Sequence, residues 1–477
     1  MAYRDLREFV EVLEKEGELN RVKAEVDWDL EAGAITRRAM DLKEAAPLFE
    51  NIKGYPAGFR LLGALLGPTK PVIQGRFALA IGLPKDTPTI KIIEEFTERL
   101  RGRVKPVLIP SAPCQENVLE GDQIDLLKLP APLIHEMDGG RFLGTWHIDI
   151  TKDPDSGWVN WGTYRHMVLD ADSLGFLASP MQHGPSVFYQ KYEPRAESMP
   201  MAIAIGTEPV CNIVASAPLP AYVDEAEVGG AIRQQPIELV KCGSCDLEVP
   251  ASSEIVLEGE VVKERRMEGP FAEYTGYATG GTESPVFKVK RITYRDAPIL
   301  AFSNTGKPWT EEGVSDSIVL SSVLAGELKK AGIPFQSLYV PPHNLAVIVS
   351  ARSPYPGFVH TLACALWGSK AGILRPYIIV VGEDVDVTNS DEVFWCLTTR
   401  LHPVNGVHVQ KATPGIPLWP FLTPEEKKSR KGVRILLDAT FPAEWDKKEV
   451  PVPVDFESGW PAHIREKVLA RWKEYGY

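Results

Sequence analysis

Apolar and polar positions change their period three times along the chain. In "LREFVEVL", Leu6, Phe9, Val10 and Leu13 recur at i, i+3, i+4 and i+7, which predicts a helix with one buried face, and Gly17 is placed to stop it. In "DTPTIKIIEEFTERLRGR", Ile92, Phe96 and Leu100 share one side, with Thr87 as cap and Pro88 in the first turn. Residues 105–135 are rich in proline and predict a linker. Beyond it the period becomes two. In "TWHIDITK", Trp146, Ile148 and Ile150 alternate with polar neighbours. "EIVLEGEVV" and "PVFKVKRITY" are also strand-like, so a mostly antiparallel sheet or barrel is expected here.

Further on, helix and strand alternate. "SDSIVLSSVLAGELKKAGI" reads as a helix, "FQSLYV" and "LAVIVSA" as strands, "PGFVHTLACALWG" as a helix, "YIIVVG" as a buried strand and "SDEVFWCLTTR" as a helix. That rhythm predicts a largely parallel sheet. The chain ends on "PAHIREKVLARWKEYG", where Ile464, Val468 and Trp472 lie four apart after the loop-like "PVPVDFESGW". This last amphipathic helix packs on its own domain or reaches another subunit. No internal repeat is visible.

Composition narrows the function class. The 477 residues have room for two or three domains. No apolar run approaches the roughly 18 residues of a membrane span. The N-terminal stretch is acidic early and lacks an apolar h-region, which argues against a secretory signal. A net charge of −12 argues against nucleic-acid binding, and the basic run "EEKKSRKG" reads as solvated loop. The six cysteines are too scattered for a disulfide framework, so a cytoplasmic protein is expected. "CGSC" at 242–245 is a lone C-x-x-C; a zinc ribbon needs a second pair, so a strand turn is favoured over a redox or metal motif.

Candidate chemistry begins at "MEGPFAEYTG", where Glu268 and Glu273 lie five apart. On a regular strand they would point to opposite faces, but a turn at Gly269-Pro270 can bring them to one side. Two neighbouring carboxylates need a cation between them, or one must keep its proton. The alternative is a pair of surface glutamates. Arg165, in "WVNWGTYRHM", is the candidate cation, and Gly162 beside it invites a bulge or a close approach; a surface-paired arginine is the alternative. Asn160, His183 and Glu225 are residue types that suit Mn²⁺ or Mg²⁺, although their spacing carries no local signature. Other lures fail. "GEDVDVTNSDE", with Asp384 and Asp386, lacks the glycine and glutamate of an EF-hand loop and reads as a strand end before a helix. His135-Glu136 lacks the second histidine of a zinc protease. "YATGGT" fits no phosphate-loop pattern, and no G-x-S-x-G is present.

Taken in order and spacing, "NWGTYR", "QH", "DEAEVGGAIRQQPIELVKC", "EGPFAEYTGY", "GEDVDV" with "EVFWCLTTR", and "PAHIREKVLARWKEYGY" resemble the UbiD-like family of reversible decarboxylases over nearly the whole chain. The resemblance implies an α/β (α+β multidomain) fold: an N-terminal α/β domain over 1–112, a central split β-barrel flavin-binding domain over 113–312, a C-terminal α/β domain over 313–455, and a final helix within 456–477 as oligomer contact. It implies non-oxidative decarboxylation of an aromatic, heteroaromatic or α,β-unsaturated carboxylic acid, releasing CO₂. The cofactor would be prenylated FMN, supplied by a flavin prenyltransferase. By position, Asn160, His183 and Glu225 would hold Mn²⁺ (or Mg²⁺) at the cofactor phosphate, with K⁺ nearby on backbone carbonyls and Trp161. Gly162, Thr163, Arg165, Gln182, Ser216 and Lys370 would line the cofactor. Where the family often has serines and a methionine, "IVASAPLP" has Ala215, Ser216 and Ala217, so contacts from this loop fall to its backbone.

In the same resemblance Glu273 is the acid/base, Arg165 meets the substrate carboxylate and Glu268 orients Arg165. The segments 303–313 and 414–422 would form the substrate pocket, with Asn304, Lys307, Leu418 and Phe421. The polarity of the first suggests a polar ring such as a furoate, pyrrole carboxylate or hydroxybenzoate. A homodimer or homohexamer is expected. Three alternatives compete: a flavin oxidoreductase with unmodified FMN, which would need a nicotinamide site; a non-catalytic subunit of a carboxylase complex, against which the intact Glu268, Arg165 and Glu273 argue; and a two-carboxylate glycosidase, which the arginine fits poorly.

Overall fold

The computed structural model describes residues 3–177, 179–342, 345–446 and 448–477. Its first helix, Leu6–Lys15, starts where the Asp5 side chain accepts the Glu8 N–H, and it buries the stripe of Leu6, Phe9, Val10 and Leu13. That stripe shares a core cluster with Ala46, Leu48 and Leu62. These belong to a four-stranded sheet in the order Leu19–Val22, Ala46–Phe49, Arg60–Gly63, Ile299–Phe302. The last strand runs parallel to Arg60–Gly63 although it lies more than two hundred residues further along the chain. The two regions are also joined by Arg7, whose Nε and Nη2 fork onto the buried Glu254 carboxylate at 2.8 Å each.

The helix Thr89–Arg99 begins after Pro88. Thr87 does not cap it: its hydroxyl donates backward to Pro84 O at 2.7 Å. Ile92 and Phe96 are buried as the period requires, while Leu100 is already the C-cap. The proline-rich stretch 105–135 is no free linker. Val107–Leu108 pairs with Glu238–Lys241, and Asn117–Glu120 pairs with Thr282–Tyr294. Proline shortens these strands without preventing their pairing.

The central sheet has seven strands. Its path is Ser173–Gly175, Thr282–Tyr294, Ile255–Glu268, Met199–Ile205, His147–Lys152, Val159–Gly162, with Asn117–Glu120 also on Thr282–Tyr294. Every pairing is antiparallel. His147–Lys152 is the expected strand, and despite its alternation of apolar and polar residues it is buried on both faces as far as Thr151. Ile148 and Ile150 enter one apolar cluster, and His147 and Asp149 turn inward on the other face.

The C-terminal sheet runs Ser337–Tyr339, Ala346–Ser350, Tyr377–Val381, Lys431–Ala439, Val407–Pro414. Only its three inner strands are mutually parallel; both edges are antiparallel, so the sheet is mixed rather than largely parallel. The run "EEKKSRKG" is not loop: it contributes most of the exposed helix Pro424–Ser429 and the start of Lys431–Ala439. The long helix Glu311–Lys330, capped by Thr310, lies against Thr89–Arg99, with Ser322 Oγ donating to Ile93 O at 3.2 Å. The last helix, Ala462–Ala470, has no buried residue. Among the described residues no helix is long and apolar enough to cross a membrane.

Candidate active site

The long strand Ile255–Glu268 ends at Gly269, whose φ of +80° is open to glycine and strained for other residues. The chain then makes a small hairpin, Phe271–Ala272 against Ala278–Thr279, and Glu273 stands at its turn with its N–H on Tyr277 O. A second segment clamps this excursion. Gly139 N donates to Pro270 O at 2.7 Å, and a Cβ at Gly139 would fall 2.1 Å from Gly269 O. Asp138 accepts Ala272 N at 3.2 Å and His135 N at 3.0 Å.

Arg165 fills the space this turn creates. Its Nε and Nη2 bind the two oxygens of Glu268 at 2.8 and 2.7 Å, and Nη1 donates to Glu273. The guanidinium also lies over the Phe271 ring, 4.9 Å from its centroid. Gly175 leaves room for Glu268, since a Cβ there would meet Glu268 Cγ at 2.7 Å. The Arg165 side chain is 10% exposed and Glu268 not at all, so little water screens the pairs. Burial pushes the Glu273 carboxyl above the ordinary glutamate range; Arg165 opposes this and Glu268 reinforces it. Burial disfavours the Arg165 charge, yet the hydrogen bonds and charges of Glu268, then the charge of Glu273, more than compensate. One guanidinium therefore serves two carboxylates, and Glu273 is the one held toward its acid form.

Sequence reasoning missed what holds Arg165 in place. Asp149 Oδ1 bonds His166 Nε2 at 2.7 Å, while its Oδ2 meets His147 Nε2 at 3.0 Å and accepts Tyr164 N at 2.8 Å. His147 Nε2 also reaches Tyr164 O, and His166 Nδ1 reaches Gly175 O. Residues on both sides of Arg165 are thus pinned to one buried carboxylate. Burial alone would raise Asp149, but the charges of the two histidines outweigh it and bring the group down to about 2. The trace in sequence is "HID", two polar residues on one face of a strand, a pattern that a solvated face would share.

A second polar cluster joins Asn160, Glu225, His183 and Lys370. Glu225 opens the helix Glu225–Arg233 behind its Asp224 cap. Its carboxylate accepts Asn160 Nδ2 at 3.1 Å and Trp161 N at 3.0 Å. Burial pushes it up to about 7, against the Trp161 bond. Tyr164 OH donates to Asn160 Oδ1 at 3.2 Å and accepts Gly184 N at 3.0 Å, which links Asn160 to the start of the short helix His183–Val187. Lys370 Nζ reaches His183 Nε2 at 2.7 Å and Leu219 O at 2.6 Å. Burial lowers Lys370 to about 8, against the pull of Glu225, and lowers His183 to about 4, with Lys370 adding to it. A buried carboxylate, an amide oxygen and a neutral imidazole are a donor set that fits a divalent ion. Asn160 presents its nitrogen to Glu225 here, and turning the amide over would present its oxygen.

The remaining expected residues are placed less uniformly. The Cβ side of Gly162 is filled by the Tyr164 ring, 2.3 Å from its hydroxyl. Thr163 is half-buried and Gln182 is exposed. Ser216 Oγ is turned to Ile213 O in its own helix. The segment after Phe302 does run beside the Glu273 turn: Thr305 Oγ1 donates to Ala272 O, and Gly276 packs on the Lys307 backbone. Asn304, however, is buried and committed, donating to Gly33 O at 2.7 Å with Oδ1 facing His135 Nε2. The Lys307 side chain is exposed. Phe421 stacks on Trp419 and meets Tyr377 edge-on, with Leu418 half-buried nearby in the chain.

Family models match three consecutive stretches: the 3-octaprenyl-4-hydroxybenzoate carboxy-lyase N-terminal domain over residues 10–96, the Rift-related domain over 106–308 and the C-terminal domain over 323–439. The chain is 34% identical over 488 residues to a pyrrole-2-carboxylic acid decarboxylase of Pseudomonas aeruginosa, covering 99% of this chain and 98% of that one. It is similar in structure to the vanillic acid decarboxylase of Sedimentibacter hydroxybenzoicus in closed form, with a TM-score of 0.88, 34% identity and 99% of both chains covered. The UbiD-class enzyme HmfF of Pelotomaculum thermopropionicum in complex with FMN has a TM-score of 0.83 at 28% identity over 94% of this chain and 97% of that one. An evolved dimeric form of HmfF in complex with prFMN gives a TM-score of 0.80 with the same identity and coverage.

Asp149→Asn keeps the shape of the clamp and removes its charge. It should cost about 1–3 kcal/mol in chemical denaturation at neutral pH. Because the native group titrates near 2 and the unfolded one near 3.8, the contribution is full above the unfolded value and disappears as pH falls through about 2. The variant should therefore lose that acid-side slope, and an unchanged slope would dissociate Asp149 from the two histidines.

Proposed function

The chain belongs to the UbiD family of carboxy-lyases, and from that premise we propose that it is a prenylated-FMN-dependent decarboxylase of an aromatic, heteroaromatic or α,β-unsaturated carboxylic acid, acting through Arg165, Glu268 and Glu273. One observation carries the reading: a buried guanidinium forked between two carboxylates, one of them raised toward its acid form. The flavin, when bound, supplies an acceptor for the electron pair left on carbon as CO₂ departs. Asn160, His183 and Glu225 would hold Mn²⁺ or Mg²⁺ at its phosphate, and Lys370 would shift from His183 to that phosphate. K⁺ would sit on backbone carbonyls near Trp161. Gly162, Thr163, Gln182 and Ser216 would meet the flavin chiefly through their backbone.

Three of Arg165's five N–H groups are engaged by the glutamates, which leaves two to receive the substrate carboxylate. Glu268 takes both edges of one fork and so fixes the plane of the guanidinium. Glu273 gives its proton to the carbon that loses CO₂ and recovers one from solvent; the reverse reaction runs the same transfer backward. The polar-ring expectation is weakened in its strongest member, because the Asn304 amide already has two partners inside the protein. The substrate class therefore stays as broad as the relatives' own substrates.

Self-association belongs to the same reading. Val452, Val454, Trp460, Leu469, Trp472 and Tyr477 are exposed near the unburied last helix, an apolar surface that a second copy of the chain would cover. Full-length protein should sediment as a dimer or larger, and removing residues 456–477 should shift it toward monomer; an unchanged sedimentation coefficient would place the contact elsewhere.

Protein co-expressed with a flavin prenyltransferase should release a flavin heavier than FMN and liberate CO₂ from a panel of aromatic acids. Plain FMN supporting full turnover would favour the oxidoreductase alternative. Glu273→Gln should cut turnover by about 10²–10⁴-fold with the flavin retained. Since Glu273 must be protonated to give a proton, decarboxylation should decline as pH rises through its raised pKa, and the variant should lack that limb.

Metal removal gives an independent check. Without a cation, Glu225 titrates near 7 when folded and near 4.5 unfolded, so stability falls as pH rises across that window. The melting temperature of EDTA-treated protein should drop between about pH 5 and pH 8 more than that of Mn²⁺-loaded protein. Equal drops would take Glu225 out of the metal site.

A further inference from the structure

The turn Cys242–Cys245 joins two antiparallel strands, Glu238–Lys241 and Glu248–Pro250, and is closed by Cys242 N on Leu247 O at 2.9 Å. It faces a third element. Glu258 lies in Ile255–Glu268, where the register against Thr282–Tyr294 slips between Glu258 and Gly259. A bulge of this kind re-aims a side chain. The two Sγ atoms and a Glu258 carboxylate oxygen all lie within 4.8 Å of one another. Glu258 is anchored by one oxygen, Oε2, which accepts Ser244 N at 2.6 Å and Ser244 Oγ at 2.8 Å. Its Oε1 is 3.6 Å from Arg291 Nε, beyond hydrogen-bond length.

We propose that Cys242, Cys245 and Glu258 form a binding site for a thiophilic divalent ion, zinc by its ligand chemistry, separate from the flavin site. A C-x-x-C turn at the end of a hairpin chelates one ion through both sulfurs, and a carboxylate from another strand supplies a third corner. Binding releases both thiol protons to solvent. Two thiolates and a carboxylate exceed the charge of Zn²⁺ by one, and the Arg291 guanidinium, which also pairs with the exposed Glu120, lies beside the turn: a Cβ at Gly243 would fall 2.5 Å from Arg291 Cζ. Cys114 shares the surrounding core cluster, and its neighbour Gln115 donates to Lys241 O at 3.0 Å, next to Cys242. Cys114 nonetheless stands outside the group of ligand atoms within 4.8 Å of one another, so a water would complete the tetrahedron. The ion would tie the hairpin to the strand that ends in Glu268.

The other close group, His147, Asp149 and His166, takes no such ion. The Tyr164 N–H points at Asp149, and a cation there would face it.

Holoenzyme produced in zinc-supplemented medium should contain one zinc per chain by elemental analysis, beyond the metal of the flavin site. Titrating the folded wild-type protein with an organomercurial should release that zinc to a chromogenic chelator as the thiols react. Replacing it with Co²⁺ should produce an intense thiolate-to-cobalt band in the near ultraviolet. Joint Cys242→Ser and Cys245→Ser substitution should abolish the band and the zinc while flavin and manganese remain, and Glu258→Gln should weaken zinc binding on the order of tenfold or more. No zinc released from folded wild-type protein, or a Cys242–Cys245 disulfide detected by mass in protein purified without oxygen, would overturn the site.

Discussion

Two carboxylates share a single guanidinium in a place water hardly reaches, and that imbalance of charge governs the rest of the centre. Arg165 can neutralise one glutamate, and its two-pronged contact with Glu268 spends the stronger geometry there. Glu273 is left with one N–H, a low-dielectric surrounding and a negative neighbour, all of which favour keeping a proton. An acid poised in this way follows from the placement of three side chains and needs no special residue. Removing Arg165 would strand the buried Glu268 charge, and breaking a comparable buried pair costs about 3–5 kcal/mol.

Such a cluster persists only if the backbone around it cannot relax, and two devices oppose relaxation. Asp149 grips Tyr164 and His166 on either side of Arg165. Gly139 and Asp138 grip the turn that carries Glu273. Tyr164 reaches further, through its hydroxyl, to Asn160 and Gly184. The proposed acid/base centre and the proposed metal centre therefore hang on one tyrosine and its neighbours, with Tyr164 supplying backbone to the first and side chain to the second.

Much of this was legible from residues, and the failures share a cause. Apolar periods located Leu6–Lys15, the long strands Ile255–Glu268 and Thr282–Tyr294, and the helices Phe358–Trp367 and Ser390–Thr399, because burial of a continuous stripe leaves a regular trace. Electrostatics gave only the condition that Glu268 and Glu273, if placed together, require a cation or a shared proton, with Arg165 as one candidate; the resemblance was what joined the three. Asp149 was not, because a polar face buried against other polar groups has the same period as one facing water. Asn304 was expected to be available for a ligand, yet a side-chain amide with both ends satisfied by Gly33 and His135 looks no different in sequence. The strands Val407–Pro414 and Lys431–Ala439 lacked a clean alternation; the first is an edge strand and the second begins in an exposed basic run.

The C-terminal region does more than cover the central sheet. Lys370 places its ammonium on His183 and Leu219. Tyr274, next to Glu273, is pushed up to about 12 by burial against an opposing pull from Arg375. One short stretch thus places Lys370 on the cluster of His183, Asn160 and Glu225 and sets Arg375 to act on the residue beside Glu273. Burial disfavours the charge on both, opposed by Glu225 for Lys370 and by Tyr274 and Asp316 for Arg375. The charge on Lys370 is thus tied to what stands opposite it: an anion beside His183 would favour the ammonium where it already lies and relieve the cost of its burial.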